Sequence, residues 1–166
     1  LFSILPWIDA HHWSIFIGAL LGCIFAYFFG RAFDFSRSAS FILSSSYLLA
    51  ATFGWLDMTL SAWSFFMIPA LFLAILKANR SEHPLLWTIL GGVFIGIGFL
   101  AGFAQVTIYG YVIAGIFALY LTLVRESGAD TDSRKSDFSG KDFGQFRTLS
   151  AFGAMTIFGI LLSLPQ

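Results

Sequence analysis

The chain has 166 residues, of which 58% are hydrophobic and 11% are charged, and its nine Lys/Arg balance its nine Asp/Glu. Because soluble domains carry about 25% charged residues, this composition excludes an ordinary soluble domain and predicts a membrane protein. The basic residues do not cluster as a nucleic-acid-binding face requires, so no nucleic-acid partner is expected.

The first apolar segment runs from Trp13 to Gly30 and is followed at once by Arg31. Residues 1–12 before it are predicted to form a short stub outside the membrane. Small residues recur every four positions along the segment, a spacing that lets a neighbouring helix approach closely. These residues are Gly18, Gly22, Ala26 and Gly30.

The second apolar interval, Ser38 to Leu76, contains a single charged residue, Asp57. As one helix these residues would extend about 58 Å, nearly twice the thickness of a hydrocarbon core of about 30 Å. The interval therefore predicts two helices that fold back at Asp57. An acid at the membrane boundary is either a polar turn residue or a functional group, and the sequence favours neither alternative.

The third interval, Leu85 to Val124, contains no Asp, Glu, Lys, Arg or His, and Gln105 lies near its midpoint. The same length argument predicts a second hairpin, with its turn between Gly102 and Gln105. Glycines at four-residue spacing in its first half again predict close helix packing. Because no strand precedes them, their pattern favours packing over a nucleotide-binding loop.

A polar stretch from Arg125 to Arg147 separates this interval from the last apolar segment, Leu149 to Leu164. The stretch holds five basic and five acidic residues among Ser and Gly, and we predict a flexible loop. The chain begins at Leu1 without Met and ends directly after an apolar segment, which indicates an internal piece of a longer polypeptide.

All nine Lys/Arg fall in every second connection between the apolar segments. By the positive-inside rule that side is cytoplasmic, and the protein is expected to be a multi-pass protein of the plasma (inner) membrane. The predicted fold is all-α: a single transmembrane domain over 1–166 with about six membrane helices, arranged as one span, two hairpins and a final span.

Few residues in the chain are suited to chemistry. The run Asp9-Ala10-His11-His12 is the best metal candidate, but no further ligand has a fixed spacing to it, so we interpret it as a polar collar and predict no metal site. Cys23 is the single cysteine, which excludes an intrachain disulfide. No Ser/His/Asp or Cys/His arrangement and no phosphate-binding loop is present, and no cofactor is expected.

Gln105, Thr107 and Tyr109 cluster at the second predicted turn. Their neutral donors and acceptors are suited to a sugar hydroxyl or a phosphate, and the alternative is that they cap the backbone of the turn. Together with Asp57, Gln105 and Tyr109 are the candidate substrate-binding residues, and all are expected at one level on the outer side, bordering a pocket open to that surface.

The order of these features resembles the YfhO-like bacterial membrane proteins within the GT-C class of glycosyltransferases. Four stretches carry the resemblance: LFSILP at 1–6, FAYFFGRAFDFSRSASFILSSSYLLA at 25–50, FLAGFAQVTIY at 99–109 and LLSLPQ at 161–166. Phe103 and Ala104 stand where that family often has His and Pro, so only Gly102, Gln105 and Tyr109 match its turn motif.

The resemblance implies a glycosyltransferase that takes sugar from a polyprenyl-phosphate donor at the outer membrane face. It also implies that the catalytic acid lies in an outer loop preceding Leu1, which leaves no catalytic residue in this chain. The expected partners are membrane lipids and the lipid-linked sugar donor. A transporter or permease subunit and a non-enzymatic membrane scaffold are the alternatives, although the near-absence of charge within the spans disfavours an ion pathway.

Overall fold

The computed structural model describes residues 7–55, 65–80, 82–101, 104–132 and 142–164. These ranges contain helices and no strand, so the all-α prediction is confirmed. The six helices in the described ranges are α1 Trp7–Ala32, α2 Arg37–Trp55, α3 Ile68–Arg80, α4 Pro84–Leu100, α5 Ala104–Asp132 and α6 Asp142–Ser163.

Helix α1 lies between α2 and α3, and α2 packs on α1 alone among the described helices. The small-residue face of α1 is buried, as its spacing predicts. A Cβ built on Gly30 would lie 2.9 Å from Ser40 Oγ of α2, and one on Gly22 would lie 3.1 Å from the Phe66 ring. Ser44 donates a hydrogen bond to the Cys23 carbonyl at 2.8 Å, which fixes the register of α1 and α2.

Helix α3 is the centre of the bundle and packs against α1, α4, α5 and α6. Ala70, Ala74, Leu76 and Ala78 have no exposed surface. The helix has 13 residues and is about 20 Å long. Residues 65–66 are helical as well, and the break at Met67 precedes Pro69, which has no N–H to donate and suits the first turn of a helix.

Helices α4 and α6 form the most extensive contact in the bundle. Glycines on both helices allow it: a Cβ built on Gly92 would lie 2.6 Å from the Phe158 ring, and one on Gly159 would lie 2.6 Å from Ile95 Cγ2. The glycine spacing in α4 is therefore used for helix packing, which confirms that prediction.

Of the two predicted hairpin turns, the second falls between described helices and the first does not. Helix α4 ends at Leu100 and α5 begins at Ala104, so the chain turns where the sequence predicts. Helix α2 ends at Trp55, whereas Asp57 lies outside the described residues. Helices α2 and α3 pack on α1 and make no contact with each other within the described ranges, because α1 separates them.

The polar segments are more helical than the sequence suggests. Helix α1 already begins at Trp7, within the predicted stub of residues 1–12. Helix α5 continues to Asp132 and α6 begins at Asp142, so both ends of the predicted loop from Arg125 to Arg147 are helical. Ordinary helix formers, including Arg, Glu and Ala, allow an established helix to continue beyond its apolar part.

Basic residues from separate connections meet at one end of the bundle. Arg80 at the end of α3 donates a hydrogen bond to the carbonyl of Ala32, the last residue of α1, at 2.9 Å. It also forms an ion pair with Asp34 at 3.0 Å, and its guanidinium lies over the Phe33 ring at 5.9 Å. Arg80 thus joins the C-termini of α1 and α3.

Within the described ranges, two stretches are long and apolar enough to cross a membrane, His12–Ala32 and Gln105–Val124. Helix α5 exposes a continuous apolar stripe at helical spacing, from Ile108 through Val112 and Ile116 to Leu123. Its opposite side, which includes Ala114 and Ala118, is fully buried. The helix is therefore apolar on both its packed side and its open side.

Candidate functional site

The candidate site lies at the break between α4 and α5. Gln105 is in the first turn of α5, and Tyr109 is one turn further along on the same face. Gln105 Nε2 donates a hydrogen bond to the Tyr109 hydroxyl at 3.0 Å, and both side chains are exposed. The structure therefore brings together two of the three predicted substrate-binding residues.

Thr107 serves a different purpose. It lies on the opposite side of α5, is buried, and donates from Oγ1 to the carbonyl of Gly98 at 2.8 Å. Carbonyls in the last turn of a helix lack an intrahelical partner, so this bond satisfies one of them at the end of α4. For Thr107, the capping alternative is confirmed.

The exposed pair has hydrogen-bonding capacity left for a ligand. The Tyr109 hydroxyl accepts from Gln105 and keeps its own proton to donate. Gln105 retains a second N–H and a carbonyl oxygen. Two donors and one acceptor at adjacent positions match a sugar hydroxyl or a phosphate oxygen, but a neutral amide and a phenol supply neither a general base nor a strong nucleophile.

The Gln105–Tyr109 pair lies at one end of the exposed apolar stripe of α5. Gln105 and Tyr109 occupy the end of the exposed stripe that continues through Val112 and Ile116. A polar group followed along one helix face by apolar side chains is complementary to an amphiphile. On the opposite side of α5, Met67, Thr107 and neighbouring residues line a small apolar cavity of about 20 Å³, with room for about one water molecule.

Comparisons with protein-family models, curated proteins and solved structures find no match. The resemblance to the YfhO-like proteins and the GT-C class therefore stays a prediction.

The third predicted substrate-binding residue, Asp57, lies outside the described residues, and so does any pocket it borders. In the Asp9 to His12 run, the side chain of His12 is described. It is exposed and lines an apolar groove of about 600 Å³ between α1 and α2, together with Phe16 and Leu48. Among the described residues, no three His, Cys, Asp or Glu side chains come together as metal ligands would.

Arg31, Lys77 and Arg80 lie in an ion pair and a groove that the sequence does not predict. Arg80 is paired with Asp34, whereas Arg31 and Lys77 line a common groove between α1, α3 and α4. A signal was present, because Arg31 and Lys77 each lie in the last turn of an apolar helix. Which helices are neighbours, however, is not contained in that spacing.

Proposed function

We propose that the chain is a multi-pass membrane domain whose basic end is cytoplasmic. The exposed apolar side chains on α1, α5 and α6 support this proposal, since water would solvate none of them well. The meeting of Arg31, Lys77 and Arg80 at one end supports the orientation. Helix α4 starts at that end and is about 25 Å long, so Gln105 belongs to the opposite, outer end.

Within this membrane domain we propose a function in a glycosyltransferase that uses a polyprenyl-phosphate-linked sugar. The observation that carries the proposal is the stripe of α5, where a polar Gln105–Tyr109 pair continues into exposed apolar residues. The polyprenyl chain lies along Val112 and Ile116, and the phosphate or the sugar contacts the Gln105–Tyr109 pair. This region supplies binding and orientation, while the catalytic acid comes from outside the chain.

The Gln105–Tyr109 pair would act by neutral hydrogen bonds. The Tyr109 hydroxyl donates to a phosphate or sugar oxygen, and the Gln105 amide orients that hydroxyl by donating to it at 3.0 Å. Near the membrane surface such bonds compete with water, and each contributes on the order of 1 kcal/mol. They position the donor without changing its reactivity.

The test is sugar transfer from a polyprenyl-phosphate donor by the full-length protein in membranes. We expect Gln105→Ala and Tyr109→Phe each to raise the donor KM about fivefold, the loss of one hydrogen bond, with kcat little changed. Tyr120→Phe is the matched control, because Tyr120 is a similarly exposed tyrosine of α5 located three turns away.

Unchanged donor KM in both Gln105→Ala and Tyr109→Phe would remove the pair from the site. No transfer by the wild-type protein from any donor of this class would favour the transporter or scaffold alternatives.

A further inference from the structure

A second amphiphilic feature lies at the other end of the bundle. A groove of about 590 Å³ runs between α1, α3 and α4, with Arg31 and Lys77 at its polar end. Phe25, Phe28 and Phe94 form part of its apolar wall. The groove is distinct from the Gln105 site, because it lies at the start of α4 and not at its end.

The two cations of the groove differ from Arg80, whose charge is balanced by Asp34 at 3.0 Å. Among the described side chains, no carboxylate forms an ion pair with Arg31 or Lys77. Arg31 donates a hydrogen bond from Nη1 to the Phe35 carbonyl at 2.7 Å. Its other guanidinium N–H groups remain available to donate to a ligand. Within the described part of the chain, the polar end thus carries two positive charges that no ion pair balances.

The groove changes from polar to apolar along the helix axes. Arg31 and Ile24 are seven residues apart on α1, and Trp87 and Phe94 are seven apart on α4, a distance of about 10 Å on each helix. Trp87 lines the same groove as the two cations, and tryptophan is enriched where lipid headgroups meet the hydrocarbon. An occupant must therefore carry an anionic group at one end and an apolar chain at the other.

We propose that this groove binds an anionic glycerophospholipid of the surrounding membrane. Its phosphate lies between Arg31 and Lys77, and one acyl chain packs against Phe25, Phe28 and Phe94. The inference rests on the membrane embedding proposed above, but not on the sugar-transfer activity or on the Gln105 site.

The experiment is native mass spectrometry of the full chain in a zwitterionic detergent, with phosphatidylglycerol and phosphatidylcholine of identical acyl chains in competition. Wild-type protein is expected to retain phosphatidylglycerol preferentially. Each basic residue near an anionic headgroup contributes about fivefold, so Arg31→Gln combined with Lys77→Gln should lower the preference about thirtyfold. Arg31→Lys combined with Lys77→Arg should preserve it, because the charges remain.

Arg37→Gln is the matched control, since Arg37 is an exposed basic residue that is not among the lining residues of the groove. A loss of preference in Arg37→Gln of about fivefold, as large as that expected for Arg31→Gln or Lys77→Gln alone, would indicate a general charge effect and overturn the proposal. Equal retention of the two lipids by wild-type protein would do the same. So would displacement of phosphatidylglycerol by an equal concentration of glycerol phosphate, which would identify a site for the anion alone.

This measurement reads lipid retention and is independent of enzymatic turnover. A protein that fails to transfer sugar but retains phosphatidylglycerol through Arg31 and Lys77 supports the groove and contradicts the glycosyltransferase proposal. A protein that transfers sugar but shows no preference for phosphatidylglycerol contradicts the lipid-binding groove and leaves the glycosyltransferase proposal intact.

Discussion

The contact between α4 and α6 gives the sharpest quantitative prediction. Gly159 has no room for a methyl group: its Cβ would lie 2.6 and 2.7 Å from Cγ2 and Cβ of Ile95, and 3.0 Å from the Gly92 carbonyl oxygen. The Ile95 Cβ and the carbonyl oxygen are fixed to the backbone of α4, so rotation of a side chain does not relieve the clash. Gly159→Ala must push α4 and α6 apart by several tenths of an ångström or more.

Overpacking of this kind costs about 1–3 kcal/mol, and the better helix propensity of alanine offsets up to about 1 kcal/mol. We expect the upper part of the range, because separation of the helices also loosens Gly91 against Met155 and Gly96 against Leu162. The net destabilisation should be about 2 kcal/mol. For a domain of this size that corresponds to a decrease in Tm of about 4–8 °C.

Gly153 supplies the control on the same helix, since a Cβ built there meets no atom within 4 Å. Gly153→Ala should leave Tm unchanged or raise it slightly through helix propensity. The assay is thermal unfolding of each purified variant in one mild detergent, followed by intrinsic tryptophan fluorescence. If Gly159→Ala melts at the same temperature as Gly153→Ala, the close approach of α4 and α6 is wrong.

Two further predictions concern the α1–α2 contact and the orientation. Ser40 Oγ is fully buried and has no hydrogen-bond partner among the described residues, so Ser40→Ala should stabilise the protein by about 1 kcal/mol. Ser44→Ala removes the hydrogen bond to the Cys23 carbonyl and should destabilise the protein by about 0.5–1 kcal/mol. A lower Tm for Ser40→Ala than for Ser44→Ala would contradict this pairing. In a Cys23→Ser background, Asn79→Cys should resist an impermeant thiol reagent in intact cells and react after permeabilisation. Labelling in intact cells would reverse the proposed topology.

The sequence predicts helices and their breaks better than it predicts their neighbours. Hydropathy and length locate the turn between Leu100 and Ala104, because an uncharged interval twice the bilayer thickness has to reverse direction. Glycine spacing predicts that α4 approaches another helix closely, and this is confirmed, but spacing alone does not identify α6 as the partner. Similarly, the predicted hairpin pairs α2 with α3, whereas the Gly30–Ser40 contact places α2 on α1.

The candidate site is predictable to the same extent. Gln105 and Tyr109 are four residues apart and must share a face once that segment is helical, so their hydrogen bond follows from local geometry. Arg31 and Lys77 are 46 residues apart, and their common groove depends on how α1, α3 and α4 pack. Residues that meet through tertiary packing have no signature in the spacing of a single sequence.

The central position of α3 has a consequence for how the protein is synthesised. Three of the four helices that bury α3, namely α4, α5 and α6, follow it in the chain and emerge from the ribosome later. In the membrane embedding proposed above, α1 is the only described helix that packs on α3 until they arrive. We therefore expect the integration of α3 to depend on the completion of the later helices, and truncation after α3 to expose it to quality-control proteolysis.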